Sequence, residues 1–148
     1  MNDPSRPFSF VIVPVASPED GAETAAAVAR YAGAIDRVLG VSVVEKAGGA
    51  PDKISVEQAE EHAEEALAAL AGPLRDAGLE VETDVHYGTD VVETLIGAAG
   101  DADADAIVFT PRGGGGLVRL LSGDLGDRLV HESDVPVIAV PNVETDGA

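Results

Sequence analysis

The apolar and polar positions of this chain change period several times, and each change marks an element. Phe8-Ser-Phe-Val-Ile-Val-Pro-Val15 is almost continuously apolar, which suits a strand buried on both faces of a parallel sheet. Ser17-Pro-Glu-Asp20 then reads as a helix start, with Ser17 as N-cap, Pro18 as the first helical residue and Asp20 as the acid completing a capping box. The helix is predicted over Pro18–Ile35, with Ala22, Ala25, Val28, Ala29 and Ala32 on one face. Arg37–Val44 reads as a second buried strand, and Ala47-Gly-Gly-Ala-Pro51 as a flexible connection. A long amphipathic helix is predicted from Ser55 to Ala77. Ala59, Ala63, Ala66, Leu67, Leu70 and Leu74 form its apolar stripe, five glutamates face mostly away, and Gly78 is its stop.

Leu79-Glu-Val-Glu-Thr-Asp-Val85 alternates, which fits an edge strand with one wet face. Gly88-Thr-Asp90 turns the chain, and Val91, Val92, Leu95, Ile96 and Ala99 mark another helix. A short strand at Ala106–Phe109, a glycine-rich segment, a helix over Leu125–His131 and a last strand at Val135–Val140 complete the series, with a frayed tail from Pro141. The order β-α-β-α-β-α-β-α-β implies a parallel sheet covered by helices on both faces, in one domain over residues 8–141 with flexible termini at 1–7 and 142–148.

Composition narrows the class. The 148 residues suffice for one domain with a real core, and 45% hydrophobic content fits a globular protein. No apolar run approaches the ~20 residues of a membrane span. Met1–Pro7 carries no charged-then-apolar leader pattern, so a cytoplasmic location is the default expectation. The absence of cysteine excludes disulfides, thiol catalysis and cysteine metal sites. The formal charge of −18, from 27 acidic against 9 basic residues, disfavours nucleic acid and anionic membranes as partners. It also points to a halophilic source, since molar salt shortens the Debye length to ~3 Å and screens the self-repulsion.

Candidate chemistry concentrates in Thr110-Pro-Arg-Gly-Gly-Gly-Gly-Leu-Val-Arg-Leu-Leu-Ser-Gly-Asp124. A strand, a glycine-rich loop and a helix start form a common phosphate cradle, because glycine lets backbone N–H groups approach an anion and the helix N-terminus favours negative charge. The loop lacks Gly-Lys-Ser/Thr and is no Walker loop. Val118 and Arg119 break both registers of the dinucleotide fingerprint. A surface loop without a ligand is the alternative. Asp101, Asp103 and Asp105 resemble the opening of a calcium loop, but Ala106 and Arg112 stand where the turn glycine and the bidentate glutamate belong, so a capped helix end in a solvated acidic loop is the better account. His62 falls within the long helix's stripe, His131 in a last helical turn, and His86 on another element. They suggest neither a metal set nor a catalytic one, and no serine has a legible His-Asp pair.

The element order, Val13-Pro-Val15, Asp105-Ala-Ile-Val-Phe109 and Val135-Pro-Val-Ile-Ala-Val140 together resemble the universal stress protein family, over about Phe8 to Pro141. With its acidity, the chain looks like a divergent haloarchaeal member. The resemblance implies a Rossmann-like three-layer α/β/α sandwich of the adenine nucleotide alpha hydrolase-like kind, with a five-stranded parallel sheet of order 3-2-1-4-5. The strand order reverses between strands 1 and 4, where open α/β sheets bind ligands. It also implies a cytoplasmic homodimer made through the last strand, Val137–Val140, which would cover an apolar edge.

Nucleotide-binding members of that family carry Gly-x2-Gly-x9-Gly-Ser/Thr after the fourth strand. The pattern falls here on Thr110, Gly113, Gly123 and Asp124, with its spacing kept and two of its residue types changed. Ala16 stands where such members have an aspartate, and Gly126 where a second hydroxyl is often found. Pro14, Val15 and Val43 match adenine-side positions, and Arg112 and Leu125 complete the candidate set. ATP or another adenine nucleotide is the ligand this implies, and the residues alone establish no cofactor. Asp124 would cap its helix with its own charge where a phosphate would otherwise sit. One charge pair at ~5 Å with an effective dielectric of ~20 costs about 3 kcal/mol. The sequence therefore reads as a stress-type regulatory or interaction module with a degenerate nucleotide site, or alternatively as an adenine-nucleotide sensor retaining binding at Gly113–Gly123. ATP hydrolysis is not expected, since the loop offers no general base except Asp124 itself.

Overall fold

The computed structural model describes residues 8–45, 53–110 and 124–140. Both termini, the connection 47–51 and the glycine segment, with Arg112, Gly113 and Gly123, lie outside these residues. Five strands form one sheet in the order β3-β2-β1-β4-β5. They are β1 Phe10–Pro14, β2 Arg37–Glu45, β3 Glu80–Gly88, β4 Ala106–Phe109 and β5 Val137–Ala139. Every pairing is parallel, with Ile12 opposite Leu39 on one side of β1 and opposite Ile107 on the other. The helices are α1 Pro18–Ala29, α2 Lys53–Asp76, α3 Val91–Ala102 and α4 Asp124–Glu132.

The near-continuous apolar runs make sense once both faces are covered. Val11, Val13 and Val15 join Val28, Leu67, Leu70 and Leu74 in one core, on the side of α1 and α2. Ile12 points the other way, with Ile107, Phe109, Leu95 and Leu129, toward α3 and α4. A period-2 strand thus feeds two cores with alternate side chains. β3 lies at one edge, where Val81 is buried while Glu80, Glu82 and Asp84 meet solvent, as its alternation predicts. Those charges also discourage pairing with another edge.

The helix ends follow local chemistry. Gly78, at φ +97°, closes α2: the N–H of Leu79 reaches the Leu74 carbonyl at 3.1 Å and that of Gly78 reaches Arg75 at 3.0 Å. This paired return of the chain onto the last turn requires a left-handed residue, which glycine adopts freely. The end of α3 repeats the geometry with Asp103 at φ 57° in the glycine position. Asp90 caps the start of α3 by accepting the Glu93 N–H at 3.2 Å.

Several predicted details shift. The first helix ends at Ala29 rather than Ile35, and a separate short 3-10 turn, Ala32–Ala34, carries the chain to β2. Its face is also rotated: Ala22 is exposed, and the buried positions are Asp20, Gly21, Thr24, Ala25, Ala27 and Val28. The cause is the contact with α2, where a Cβ at Gly21 would collide with the Ala66 carbonyl oxygen. The two backbones approach too closely for larger residues, so the helix turns small and polar residues inward. His62 lies outside the α2 stripe and is exposed. The last strand is the shorter Val137–Ala139, although the Val140 N–H still reaches the Phe109 carbonyl at 2.8 Å.

Candidate functional site

Strand order reverses at β1, whose neighbours are β2 and β4, so the C-terminal ends of β1 and β4 flank a switch point. The fold brings Pro14, Val15, Ala16, Val43 and Thr110 to this end of the sheet. Val15 donates its N–H to the Val41 carbonyl at 3.0 Å, extending the β1–β2 ladder beyond the strand. Pro14, Val15, Ala16 and Val43, with Val41, Val91 and Leu95, line a cavity of only about 10 Å³. One water molecule at most fits such a space.

The turn from β1 into α1 is held by a set of buried polar groups. Ser17 is the N-cap, extended at φ −148° and ψ 162°, and its hydroxyl accepts the Asp20 N–H at 3.0 Å. The other half of the expected capping box differs. The Asp20 carboxylate does not return to Ser17; its Oδ2 accepts the N–H of Ala16 at 2.9 Å, one residue further back. Its Oδ1 faces the Thr24 hydroxyl at 3.4 Å, one helical turn along α1. Thr24 Oγ1 in turn lies 3.0 Å from Thr110 Oγ1, a link across 86 residues of sequence. Asp20, Thr24 and Thr110 all have 0% exposure. Burial raises the Asp20 carboxyl to about 6, against the opposing pull of the Ala16 N–H and the Thr24 hydroxyl, while Glu23 adds a like charge.

Thr110 therefore has its hydroxyl in a hydrogen bond with Thr24. Ala16 has its backbone N–H taken by a carboxylate from the next turn of chain. In the sequence Asp20 reads only as a capping acid, and Thr24 is not among the candidate residues. The available signal was a threonine four residues after a capping acid on the buried face of a helix. Its partner on β4 lies too far along the chain to be paired without the fold.

On the α3–α4 side, Arg128 of α4 bonds the Asp90 carboxylate at 3.1 Å and Glu132 at 2.9 Å. Asp90 is held below the ordinary carboxylate range, first by the Glu93 N–H and then by Arg128, and Arg128 in turn lowers Glu132. The start of α3 is thereby tied to the helix that follows the glycine segment. Asp124 and Leu125 open α4, but their side chains lie outside the described residues. Asp127 is exposed and pairs with His131 of the last turn, Oδ1 to Nδ1, at 3.4 Å. Asp103 turns the chain out of α3, and Asp105 accepts the Phe10 N–H at 2.9 Å and the Ser9 hydroxyl at 3.2 Å. Among the described residues, no helix is long and apolar enough to cross a membrane.

A parallel sheet of this order, with helices on both faces and a switch point between β1 and β4, defines a doubly wound α/β domain. The universal stress protein family model matches residues 9–141, and the chain belongs to this family. No curated protein matches it. Among solved structures, it is similar to a universal stress protein family member from Burkholderia pseudomallei, at 22% identity and TM-score 0.72, over 93% of this chain and 99% of that one. It is also similar to the universal stress protein from Archaeoglobus fulgidus in complex with dAMP, at 22% identity and TM-score 0.65, over 88% and 95% of the two chains. A universal stress protein in complex with cAMP matches at 17% identity and TM-score 0.60, over 93% and 97%. These likenesses establish the fold, an α/β sandwich with a five-stranded parallel sheet of order 3-2-1-4-5.

Proposed function

We propose that this protein is a non-enzymatic, universal-stress-type regulatory or interaction module, one domain over residues 8–141, with a degenerate nucleotide site. The observation that carries the proposal is how little space the described residues leave at the switch point. The apolar wall leaves about 10 Å³, and the Thr110 hydroxyl shares a hydrogen bond with Thr24. A homodimer through the last strand fits the same reading. Val137 and Ile138 are half-buried, Ala139 is exposed, and an apolar cavity of about 280 Å³ opens beside them between Tyr31 and Val140. Pairing with a second copy would cover this edge.

The second reading is an adenine-nucleotide sensor that keeps Pro14, Val15, Ala16, Val43, Thr110, Arg112, Gly113, Gly123, Asp124 and Leu125 as its contacts. It is favoured by the grouping of Pro14, Val15, Ala16 and Val43 around one small cavity, and by the dAMP and cAMP held by structural neighbours. Calorimetry with AMP, ADP and ATP in molar KCl, with and without Mg²⁺, separates the two. Silence for all three is the expected result, and tight binding of any one replaces the first reading with the second. Asp124→Ser sharpens the test, because ATP affinity gained by that change identifies the carboxylate as the group blocking the cradle. Light scattering at the same salt checks the dimer, and a monomer would remove that part of the proposal.

A further inference from the structure

We propose that Asp20 is a buried proton-binding group which, acting through Thr24, sets whether the Thr110 hydroxyl at the end of β4 donates or accepts a hydrogen bond. The geometry supplies the directionality. Oδ2 of Asp20 accepts the Ala16 N–H at 2.9 Å, so a proton on this carboxyl resides on Oδ1, the oxygen facing Thr24. Each threonine hydroxyl has one proton to give. With Asp20 ionised, Thr24 donates to Oδ1 and receives the proton of Thr110, which keeps only lone pairs for any other partner. With Asp20 protonated, Oδ1 donates to Thr24, Thr24 donates to Thr110, and the Thr110 proton is released. One proton enters from solvent, two hydroxyls rotate, and no bond between heavy atoms changes.

The surroundings suit such a relay. All three residues have 0% exposure, so their hydrogen bonds act in a low dielectric, where each polarises the next. Glu23, on the same helix, adds a like charge beside Asp20. At the crossing, α2 presents Ala66 and Ala69 to the neighbouring Gly21, while its flanking Glu61, His62, Glu64 and Glu65 are exposed. The strand β1 offers Val13 and Val15, and the end of β4 offers the Thr110 hydroxyl. Among the described residues, no cation is placed to hold Asp20 ionised, and burial keeps its proton up to about pH 6. Asp20 is thus a positioning residue for Thr110, at the point where the chain leaves the sheet for the glycine segment.

Carbon-13 NMR of the full chain in molar KCl, from pH 4 to 8, tests this. The Asp20 carboxyl and the Thr110 methyl are expected to titrate together with a midpoint near 6. In Asp20→Asn the amide oxygen takes the Ala16 N–H and the NH₂ faces Thr24. The Thr110 resonance should then lose its pH dependence and stay at the wild-type acid position. Thr24→Ser should retain the coupling. Thr24→Val should abolish the Thr110 titration and raise the Asp20 midpoint, since it removes a donor to the ionised form. An Asp20 midpoint near the ordinary 3.8, a Thr110 signal that ignores Asp20, or one that follows it in Thr24→Val overturns the proposal. Should Thr24→Val not fold, the Asp20→Asn result decides alone.

Discussion

The two ends of the sheet are built on opposite terms. At the C-terminal end, apolar side chains leave about 10 Å³, and the polar groups beneath are buried and engaged with one another. At the N-terminal end, a hollow of about 740 Å³ is open and polar, lined by Asp36, Arg37, Glu80, Asp103 and Asp105 among others. Volume alone selects the second end, while topology selects the first, because the crevice of a doubly wound sheet lies beyond the C-terminal ends of its strands. The groups at the open end have local structural tasks. Asp105 fastens the start of β1, Asp103 turns the chain out of α3, and the Arg37 guanidinium lies 4.0 Å over the Phe10 ring. In a chain this acidic, a polar hollow is an ordinary by-product of surface charge. Buried polar groups with long-range partners are scarcer and say more about what a region does.

Changes at the closed end should have the larger effects. Leu95 is fully buried in the crevice wall, so Leu95→Ala is expected to cost about 3 kcal/mol in chemical denaturation. A loss below about 1 kcal/mol would mean that the wall collapses around the gap rather than being rigidly packed. Asp20→Asn should act in the other direction and depend on pH. The folded carboxyl holds its proton up to about 6, against an ordinary value of 3.8. Folding therefore takes up a proton between those values, and stability falls as pH rises through that window. The wild type loses up to about 3 kcal/mol on this account, and the asparagine variant, which has no such charge to bury, does not. Melts at pH 4 and pH 8 should show the variant gaining on the wild type only at the higher pH. A gain independent of pH would contradict the buried-carboxylate account.

Changes at the open end should be smaller. Asp105→Ala leaves the Phe10 N–H without its acceptor and should cost about 1–2 kcal/mol by denaturant titration. Asp103→Gly relieves a left-handed residue and should stabilise by about 0.5–1 kcal/mol, seen as a raised melting temperature. If either change exceeded the effect of Leu95→Ala, the contrast between the two ends would not hold.

The fold was largely legible because its signals are local. The run Phe8–Val15, the alternation of Leu79–Val85 and the stripe Ala63–Leu74 each declare their period within a few residues, and Ser17 and Gly78 act on their nearest neighbours. The misreadings occur where a second element intervenes. The face of α1 is set by the approach of α2 at Gly21, and the first helix stops at Ala29 because the chain must turn toward β2. The site was legible only as positions. Ala16, Val43 and Thr110 can be placed at one end of the sheet, and the space left beside Ala16 and Val43 depends on how Val41, Val91 and Leu95 pack.

By itself, then, the sequence determined the alternation of strands and helices, the burial of β1 on both faces and the exposed edge of β3. Periodicity and capping are properties of neighbouring residues, and they survive in any context that supplies a core. Tertiary structure alone decided how little space is left among Pro14, Val43, Val91 and Leu95, the displaced partner of Asp20 and the meeting of Thr24 with Thr110. These depend on packing and hydrogen bonding between groups up to 86 residues apart, which only the folded sheet brings within reach.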